Sequence, residues 1–183
     1  MPVDRNITAL ERLVGLEGRL GEMQEHVGRD VVGYLKAHFT EFNATHPNKN
    51  NFPRTNFYQK AVDNITLETS PGSIDITITA PVGLAQRLYG GPIVAKNAQY
   101  LTIPAIAEAY GHSAREFDNL RFVKFGNTET RALVEKGTGK VFYWLKKAVQ
   151  QGPDPSVLPS HEELTNHVWE SAQTWLSGLV VGA

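Results

Sequence analysis

The segment that most constrains the fold runs from Arg87 to Phe125, where turn-forming residues interrupt short apolar runs. Gly90 and Gly91 permit positive φ and a close approach of neighbouring backbone. Pro92 and Pro104 fix the direction of the chain and remove backbone donors. No group of side chains in this segment forms a catalytic set. The segment therefore indicates a folded scaffold rather than a reaction centre.

Composition narrows the classes of protein to which the chain can belong. Its 183 residues, 41% hydrophobic and 20% charged, are typical of one soluble globular domain. The absence of cysteine excludes disulfides, thiol catalysis and cysteine-ligated metal centres. The N-terminus lacks the pattern of a secretory signal, and no apolar run approaches the roughly 18 residues of a membrane helix. We therefore expect synthesis in a cytoplasm and no membrane partner. The formal net charge of -1 gives no overall attraction to nucleic acid.

Apolar spacing predicts a long helix in the N-terminal part of the chain. Residues 7–20 have a rough helical face but contain glycines that each weaken a helix by about 1 kcal/mol relative to alanine, so we expect an arm or a frayed helix over 1–21. Residues 22–42 repeat apolar side chains at three- and four-residue spacing and predict the main helix. Its predicted stripe consists of Val27, Val31, Tyr34, Leu35, His38 and Phe42.

The middle of the chain has the alternation of antiparallel strands. The clearest hairpin is predicted over 64–79, where isoleucine and leucine alternate with polar residues on both sides of a Ser-Pro-Gly-Ser turn. Further strands are predicted at 100–103, 120–125, 131–135 and 141–149. We expect an α+β fold in which an antiparallel sheet of about five or six strands is packed by an N-terminal and a C-terminal helix. The prediction is a single domain over 1–183 with its core in 22–149.

A proline-rich stretch and a helix are predicted at the C-terminal end. Residues 150–159 contain three prolines and show no periodicity, which predicts a surface linker. Ser160 and Glu163 have the spacing of a capping box and predict a helix over 160–179. Its predicted apolar stripe consists of Leu164, Val168, Ala172, Trp175, Leu176 and Leu179.

Two motifs resemble known ligand-binding or catalytic motifs, and both are incomplete. The run from Gly137 to Lys140 is similar to part of a phosphate-binding loop, but Val134 and Val141 stand where that motif requires glycine and serine or threonine. His161 opens a sequence like that of zinc-protease helices, but Thr165 occupies the position of the second histidine. We therefore expect a hairpin turn at the first motif, no metal at the second, no cofactor and no enzymatic activity.

The central segment resembles a family of phage proteins. The runs LYGGPI and, after Lys96, YLTIPAIAEAYGHSAREFDNLRF are similar to the central part of the phage virion morphogenesis family, the tail-completion or minor tail proteins of Mu-like tailed phages and prophages. A weaker resemblance extends from about Pro53 to Trp175. Residues 152–155 depart from it, since Gly-Pro-Asp-Pro stands where family members have alanine, arginine, proline and an aromatic residue.

The resemblance implies a structural role in the virion. It implies a small α+β subunit, similar to tail terminators, that forms a ring with copies of itself and contacts other tail or neck proteins. It implies tail completion, tail termination or head-tail joining, with the protein in the host cytoplasm during assembly and in the tail or neck afterwards. No catalytic residue or cofactor follows from it.

Two polar segments are the predicted contact surfaces, one over 48–58 and one over 150–159. Arginine and aromatic residues are enriched at interface hot spots. On this basis the predicted subunit or partner contacts are Arg54, Phe57, Arg87, Tyr89 and Arg115.

Two other functions remain open at this point. A nucleic-acid-binding module would use the basic and aromatic residues of 49–60, namely Lys49, Phe52, Arg54, Phe57, Tyr58 and Lys60. The near-neutral net charge favours a solvated loop anchored by its aromatic side chains, and nucleic acid is therefore not an expected partner. A small hydrolase would require a pocket with convergent carboxylates and histidines.

Overall fold

The computed structural model describes residues 4–46, 50–53, 55–126 and 128–181, and it leaves out the side chains of 4–14, 16–17 and 180–181. The chain divides into two compact units. The helical unit comprises Met1–Phe42, Tyr58–Val82 and Ser156–Ala183, and the sheet unit comprises Asn43–Phe57 and Gly83–Pro155. The fold is α+β with antiparallel sheets, as the sequence predicts. A single cooperative domain stays a prediction, and calorimetry would test it as one unfolding transition.

Four α-helices and eight strands make up the described chain. The helices are α1 (Asp4–Thr45), α2 (Phe57–Asp63), α3 (Leu84–Tyr89) and α4 (His161–Val181). The strands are β1 (Ile65–Ser70), β2 (Ser73–Ile78), β3 (Gly91–Val94), β4 (Leu101–Pro104), β5 (Leu120–Lys124), β6 (Arg131–Glu135), β7 (Val141–Lys146) and β8 (Ala148–Gln151). Short 3-10 helices cover Ala107–Ala109, Ala114–Glu116 and Pro155–Val157.

The helical unit is built on α1. This helix is continuous from Asp4, where the sequence predicts an arm or a frayed helix over 1–21 followed by the main helix. Val27, Val31 and Leu35 are buried on one face and pack with side chains of the β1–β2 hairpin and of α4. Phe39, which the predicted stripe omits, is fully buried. The aromatic ring of Phe39 stacks on Tyr58 of α2.

The β1–β2 hairpin confirms the alternation in the sequence. Ile65 pairs with Ile78 and Leu67 with Ile76, so the isoleucines and leucine share one face of the two strands. Gly28 of α1 allows this face to approach, because a β-carbon there would lie 2.8 Å from a methyl carbon of Leu67. A side chain on Gly28 would therefore require the Leu67 side chain to move or the hairpin to shift.

The buried face of α4 differs from the predicted stripe. The capping box is present, with the Ser160 backbone N–H donating to the Glu163 carboxylate at 2.7 Å. Val168 and Leu176, however, are 40% and 43% exposed. His167 stacks on Tyr34 with ring centroids 4.5 Å apart, and the Ser171 hydroxyl donates to Asp30. The other four residues of the predicted stripe are half-buried, and Leu164 and Ala172 pack on the α1 core. The predicted stripe is therefore confirmed in part.

The predicted surface linker over 150–159 is wrong in part. Residues 150–151 belong to β8, Pro155–Val157 form a 3-10 helix, and the chain from Ser156 onward belongs to the helical unit. Val157 is fully buried, and its carbonyl oxygen lies 3.3 Å from Nε2 of His38. Leu158 packs with the α1 core. Sequence periodicity misses this burial because single apolar residues between prolines have no repeat.

The sheet unit contains a four-stranded antiparallel sheet in the order β4-β7-β6-β5 and a two-stranded sheet of β3 and β8. The described strands thus form three sheets, including β1–β2, rather than one sheet of five or six strands. The apolar run predicted as one strand over 141–149 is divided by Lys147 into β7 and β8. These strand pairings therefore do not confirm the prediction of a single sheet packed by an N-terminal and a C-terminal helix.

A β-bulge in β7 positions the core of the sheet unit. Leu133 pairs with Tyr143 whereas Val134 pairs with Val141, so Phe142 is the extra residue on β7. Phe142 and Tyr143 are both buried in the same cluster as a result, together with Ala109. The segment over 105–119 covers this cluster with its two 3-10 helices.

Candidate functional site: a basic pocket beside strand β4

An open pocket lies where the chain leaves the sheet between β3 and β4. β3 pairs with β8, residues 96–100 then form a series of bends, and β4 pairs with β7, the strand directly before β8. The loop over 96–100 borders an open cavity of about 470 Å³ on the adjacent strands. Its apolar floor comes from Ile93, Leu101, Ile103 and Val149. Its polar lining comes from Lys96, Asn97, Tyr100, Thr102 and Arg115.

The pocket contains two cations and no carboxylate among the described residues that line it. In the part of the chain that the structure describes, neither Lys96 nor Arg115 forms an ion pair. Both residues are exposed. Two unneutralised cations beside a hydroxyl group favour an anionic ligand, since arginine and lysine both bind carboxylate and phosphate groups.

A capping box fixes the backbone that carries Arg115. Ser113 caps the 3-10 helix Ala114–Glu116, and the Glu116 carboxylate accepts from the Ser113 backbone N–H at 2.7 Å. Nδ1 of His112 lies 2.9 Å from the other Glu116 oxygen. These two hydrogen bonds, that of His112 first, lower the pKa of Glu116 below its usual range. The carboxylate next to Arg115 in sequence is therefore already engaged.

Tyr143 ties the same segment to the sheet. Its hydroxyl lies 3.0 Å from the carbonyl oxygens of both Ala109 and His112 and donates to them. Burial raises the pKa of this hydroxyl, and the negative charge of Glu116 adds to the effect. The hydroxyl therefore remains a donor at neutral pH and holds the segment that delivers Arg115 to the pocket.

A basic strip continues from the pocket across the sheet. Arg131 of β6 is the register partner of Lys124 of β5, and the same row continues through the buried Leu145 of β7 to Thr102 of β4, so these side chains point to one face. The basic strip therefore contains two cations, Lys124 and Arg131, and Arg131 forms an ion pair with Glu129. The Arg131 guanidinium lies 5.4 Å from the ring centre of Tyr100, which joins the strip to the pocket. Glu129 is the acidic residue here, and its hydrogen bond from Arg131 lowers its pKa, with Lys124 and Lys147 adding smaller effects.

Of the four predicted contact residues that the structure describes, Arg115 alone lines this pocket. Arg87 lies over the ring of Phe57 at 4.2 Å, so these two residues contact each other within the sheet unit. Tyr89 is 76% exposed at the end of α3. Arg54 lies outside the described residues, as does Lys49. The structure therefore brings Arg87 and Phe57 together but does not form one site from the predicted set.

The residues after Tyr89 confirm the scaffold role predicted for the glycines. A β-carbon on Gly90 would lie 2.6 Å from the backbone nitrogen of Pro153, and φ of Gly90 is 69°. The Asp154 backbone N–H donates to the Arg87 carbonyl oxygen at 3.0 Å. The turn after α3 is therefore packed directly against the chain that follows β8.

The aromatic residues of the predicted 49–60 nucleic-acid loop have partners inside their own units. Phe52 contacts Tyr110, with ring centroids 5.3 Å apart. Tyr58 is buried against Phe42, with centroids 4.7 Å apart. Because these rings are engaged, they favour anchoring of the loop over stacking on bases. Sequence analysis missed Lys96, Tyr100 and Thr102, which no local motif distinguishes. The pairing of β3 with β8 and of β4 with β7 places them in the same pocket as Arg115.

The incomplete phosphate-loop motif forms a turn. Residues 137–139 form the turn between β6 and β7, where the Thr138 hydroxyl donates to the Glu135 carboxylate at 2.6 Å. Lys140 forms an ion pair with Glu108 at 3.1 Å. The hairpin-turn prediction is therefore confirmed. Over the ranges that the structure describes, no group of three or more histidine, aspartate or glutamate residues is arranged to hold a metal ion.

Charge is divided between the two units. The sheet unit has twelve lysine and arginine residues against six aspartate and glutamate residues, a formal charge of +6. The helical unit has six basic against thirteen acidic residues, a formal charge of -7. The net charge of -1 is thus the difference between two oppositely charged parts, and the inference of no electrostatic bias holds only for the chain as a whole.

The fold and this surface define an α+β protein with an acidic helical unit and a basic sheet unit that has an open, carboxylate-free pocket. In the described part of the chain, no helix combines the length and apolar character needed to cross a membrane. Comparison with protein-family models, with curated proteins and with solved structures finds no match.

Proposed function

We propose that the protein is a structural assembly subunit of a tailed phage or prophage, which associates with copies of itself at the tail end or neck. The resemblance of the segment 87–125 to virion morphogenesis proteins motivates the biological setting. The structural observation that carries the proposal is the division of charge, +6 on the sheet unit and -7 on the helical unit. A chain with two oppositely charged units attracts a second copy head to tail, the kind of contact that generates rings when its rotation closes.

Exposed apolar side chains support the same type of contact on both units. On α4 of the helical unit, Trp169 is 66% exposed and lies beside the exposed Val168. On the sheet unit, Phe122 and Phe125 are exposed near the basic strip. Exposed aromatic residues next to complementary charge are typical of protein interfaces. The tail-terminator-like arrangement implied by the resemblance is part of this proposal.

Molecular mass in solution tests the self-association. Light scattering and negative-stain microscopy at about 50 mM salt should find an oligomer, and its mass should decrease toward the monomer at about 500 mM salt because exposed charges are screened. Trp169→Ser should reduce association at low salt. Val82→Ser is the matched control, since Val82 is 97% exposed in the same unit and should leave the mass unchanged.

A monomer at every salt concentration would contradict self-association, and equal effects of the two substitutions would contradict a contact through α4. The biological setting needs a separate test. Deletion of the gene in the phage that encodes it should give particles with incomplete or unjoined tails, and wild-type protein should restore them. Normal infectious particles from the deletion would refute the virion role.

A further inference from the structure

The basic pocket beside β4 has features that self-association does not require. Its two cations, Lys96 and Arg115, line one open cavity of about 470 Å³ together with Thr102. An arginine fork, a lysine point charge and a hydroxyl are the groups that commonly contact phosphate oxygens in proteins. The neighbouring carboxylate of Glu116 is hydrogen-bonded to His112 and to the Ser113 backbone, and among the described residues it forms no ion pair with Arg115.

The strip that leaves the pocket is longer than one anion. It follows register partners across the four strands β4, β7, β6 and β5 and ends at Lys124. Three strand spacings of about 4.8 Å give a length of about 14 Å. A single phosphate ion is too small to contact both the pocket and Lys124 at this separation. This length favours a polymer of phosphates over a free phosphate ion.

We propose that the pocket and the basic strip bind the phosphate backbone of DNA without reading its sequence. Tyr100 lies against Arg131, which favours a role in positioning that guanidinium over one in stacking on a base. The charge of +6 on the sheet unit supplies a field that attracts the same ligand. Contacts through arginine, lysine and hydroxyl groups to phosphate fix position on the duplex but carry no sequence information.

Binding of a fluorescently labelled 20-base-pair duplex to the full-length protein tests the proposal. Anisotropy titrations between about 50 and 200 mM salt should show log K decreasing linearly with log salt, with a slope of about 0.9 per phosphate contact. The double variant Lys96→Gln, Arg115→Gln should lose about 1.8 from this slope and bind about 60-fold more weakly at 0.1 M salt. Duplexes of different sequence should bind alike.

The matched control is Lys136→Gln, an exposed lysine of the same unit in the turn after β6, outside the pocket. It should retain wild-type affinity within about twofold, as expected for a cation with no phosphate contact. Equal loss in this control would refute a defined site and indicate diffuse attraction. Urea midpoints of all variants should agree, which excludes misfolding as the cause.

Three further outcomes would overturn the proposal. The first is no binding to wild-type protein at about 50 mM salt. The second is a larger loss for Lys60→Gln than for the double variant, which would place binding in the predicted 49–60 segment. The third is an unchanged DNA affinity with weaker self-association, which would assign the pocket to the acidic unit of a second copy. Masses by light scattering in the same buffers keep failure of DNA binding distinct from failure of assembly.

Discussion

Replacement of Tyr143 by phenylalanine tests how the segment that carries Arg115 is held. The Tyr143 side chain is 1% exposed, and its one hydroxyl proton is shared between two carbonyl oxygens at 3.0 Å. One net hydrogen bond contributes about 1 kcal/mol, and an unsatisfied buried acceptor adds to the loss. The Ala109 oxygen keeps a weaker contact from the His112 backbone N–H at 3.4 Å. We therefore expect a loss of about 1.5 kcal/mol in the free energy of unfolding.

Urea unfolding followed by circular dichroism measures this loss, and the m-value should not change. For a chain of this length the same loss should lower Tm by about 3–6 °C. Amide hydrogen exchange over 105–116 should accelerate, because the hydroxyl ties this segment to β7. Tyr89→Phe is the control, since its ring is 76% exposed, and its effect should stay within about 0.5 kcal/mol. A stability of Tyr143→Phe within about 0.3 kcal/mol of wild type would refute the reasoning.

Further substitutions test the scaffold by urea unfolding. Gly90→Ala should lower the free energy of unfolding by about 3 kcal/mol or more, because the added β-carbon would lie 2.6 Å from a backbone atom at a residue with positive φ. Gly18→Ala, which has open space around it, should instead stabilise α1 by about 0.5–1 kcal/mol. Val157→Ala should cost about 2 kcal/mol, and no loss would contradict its burial. Hydrogen bonds from Ser160 lower the pKa of Glu163. The contribution of this carboxylate to the free energy of unfolding is therefore fully present above about pH 4.3, the ordinary pKa of glutamate, and is lost as pH falls through the lowered pKa. Glu163→Gln should make the free energy of unfolding depend less on pH in this range.

Local sequence patterns correctly predict elements that depend on neighbours in the chain. The β1–β2 hairpin follows from period-two alternation on both sides of a Pro-Gly turn, and β6 has the predicted bounds Arg131–Glu135. The capping box at Ser160 starts α4 as predicted. In each case the signal lies within about a dozen residues, where backbone propensity and side-chain spacing decide the conformation.

Tertiary partners decide what periodicity gets wrong. Ser171 of α4 is buried and His167 is half-buried, because Asp30 and Tyr34 of α1 provide a carboxylate and an aromatic ring as their partners. Val157 is buried because the segment that follows β8 packs on the core residues of α1, although the prolines of this segment predict a surface linker. Such partners lie more than a hundred residues apart in the chain, and the periodicity of one sequence does not show which distant residues will contact each other.

The sequence by itself determined the α+β class, the local turns and caps, and a composition without cysteine. The division of charge was present in the sequence but could be recognised only after the units were defined, because each unit combines segments distant in the chain. The pocket depends still more on tertiary structure. Lys96 and Arg115 line the same pocket because β3 and β4 pair with the consecutive strands β8 and β7. The segment that contains the 3-10 helix Ala114–Glu116 is held on the sheet by the Tyr143 hydroxyl. Long-range strand pairing therefore created the site, since no short motif specifies which distant side chains share a cavity.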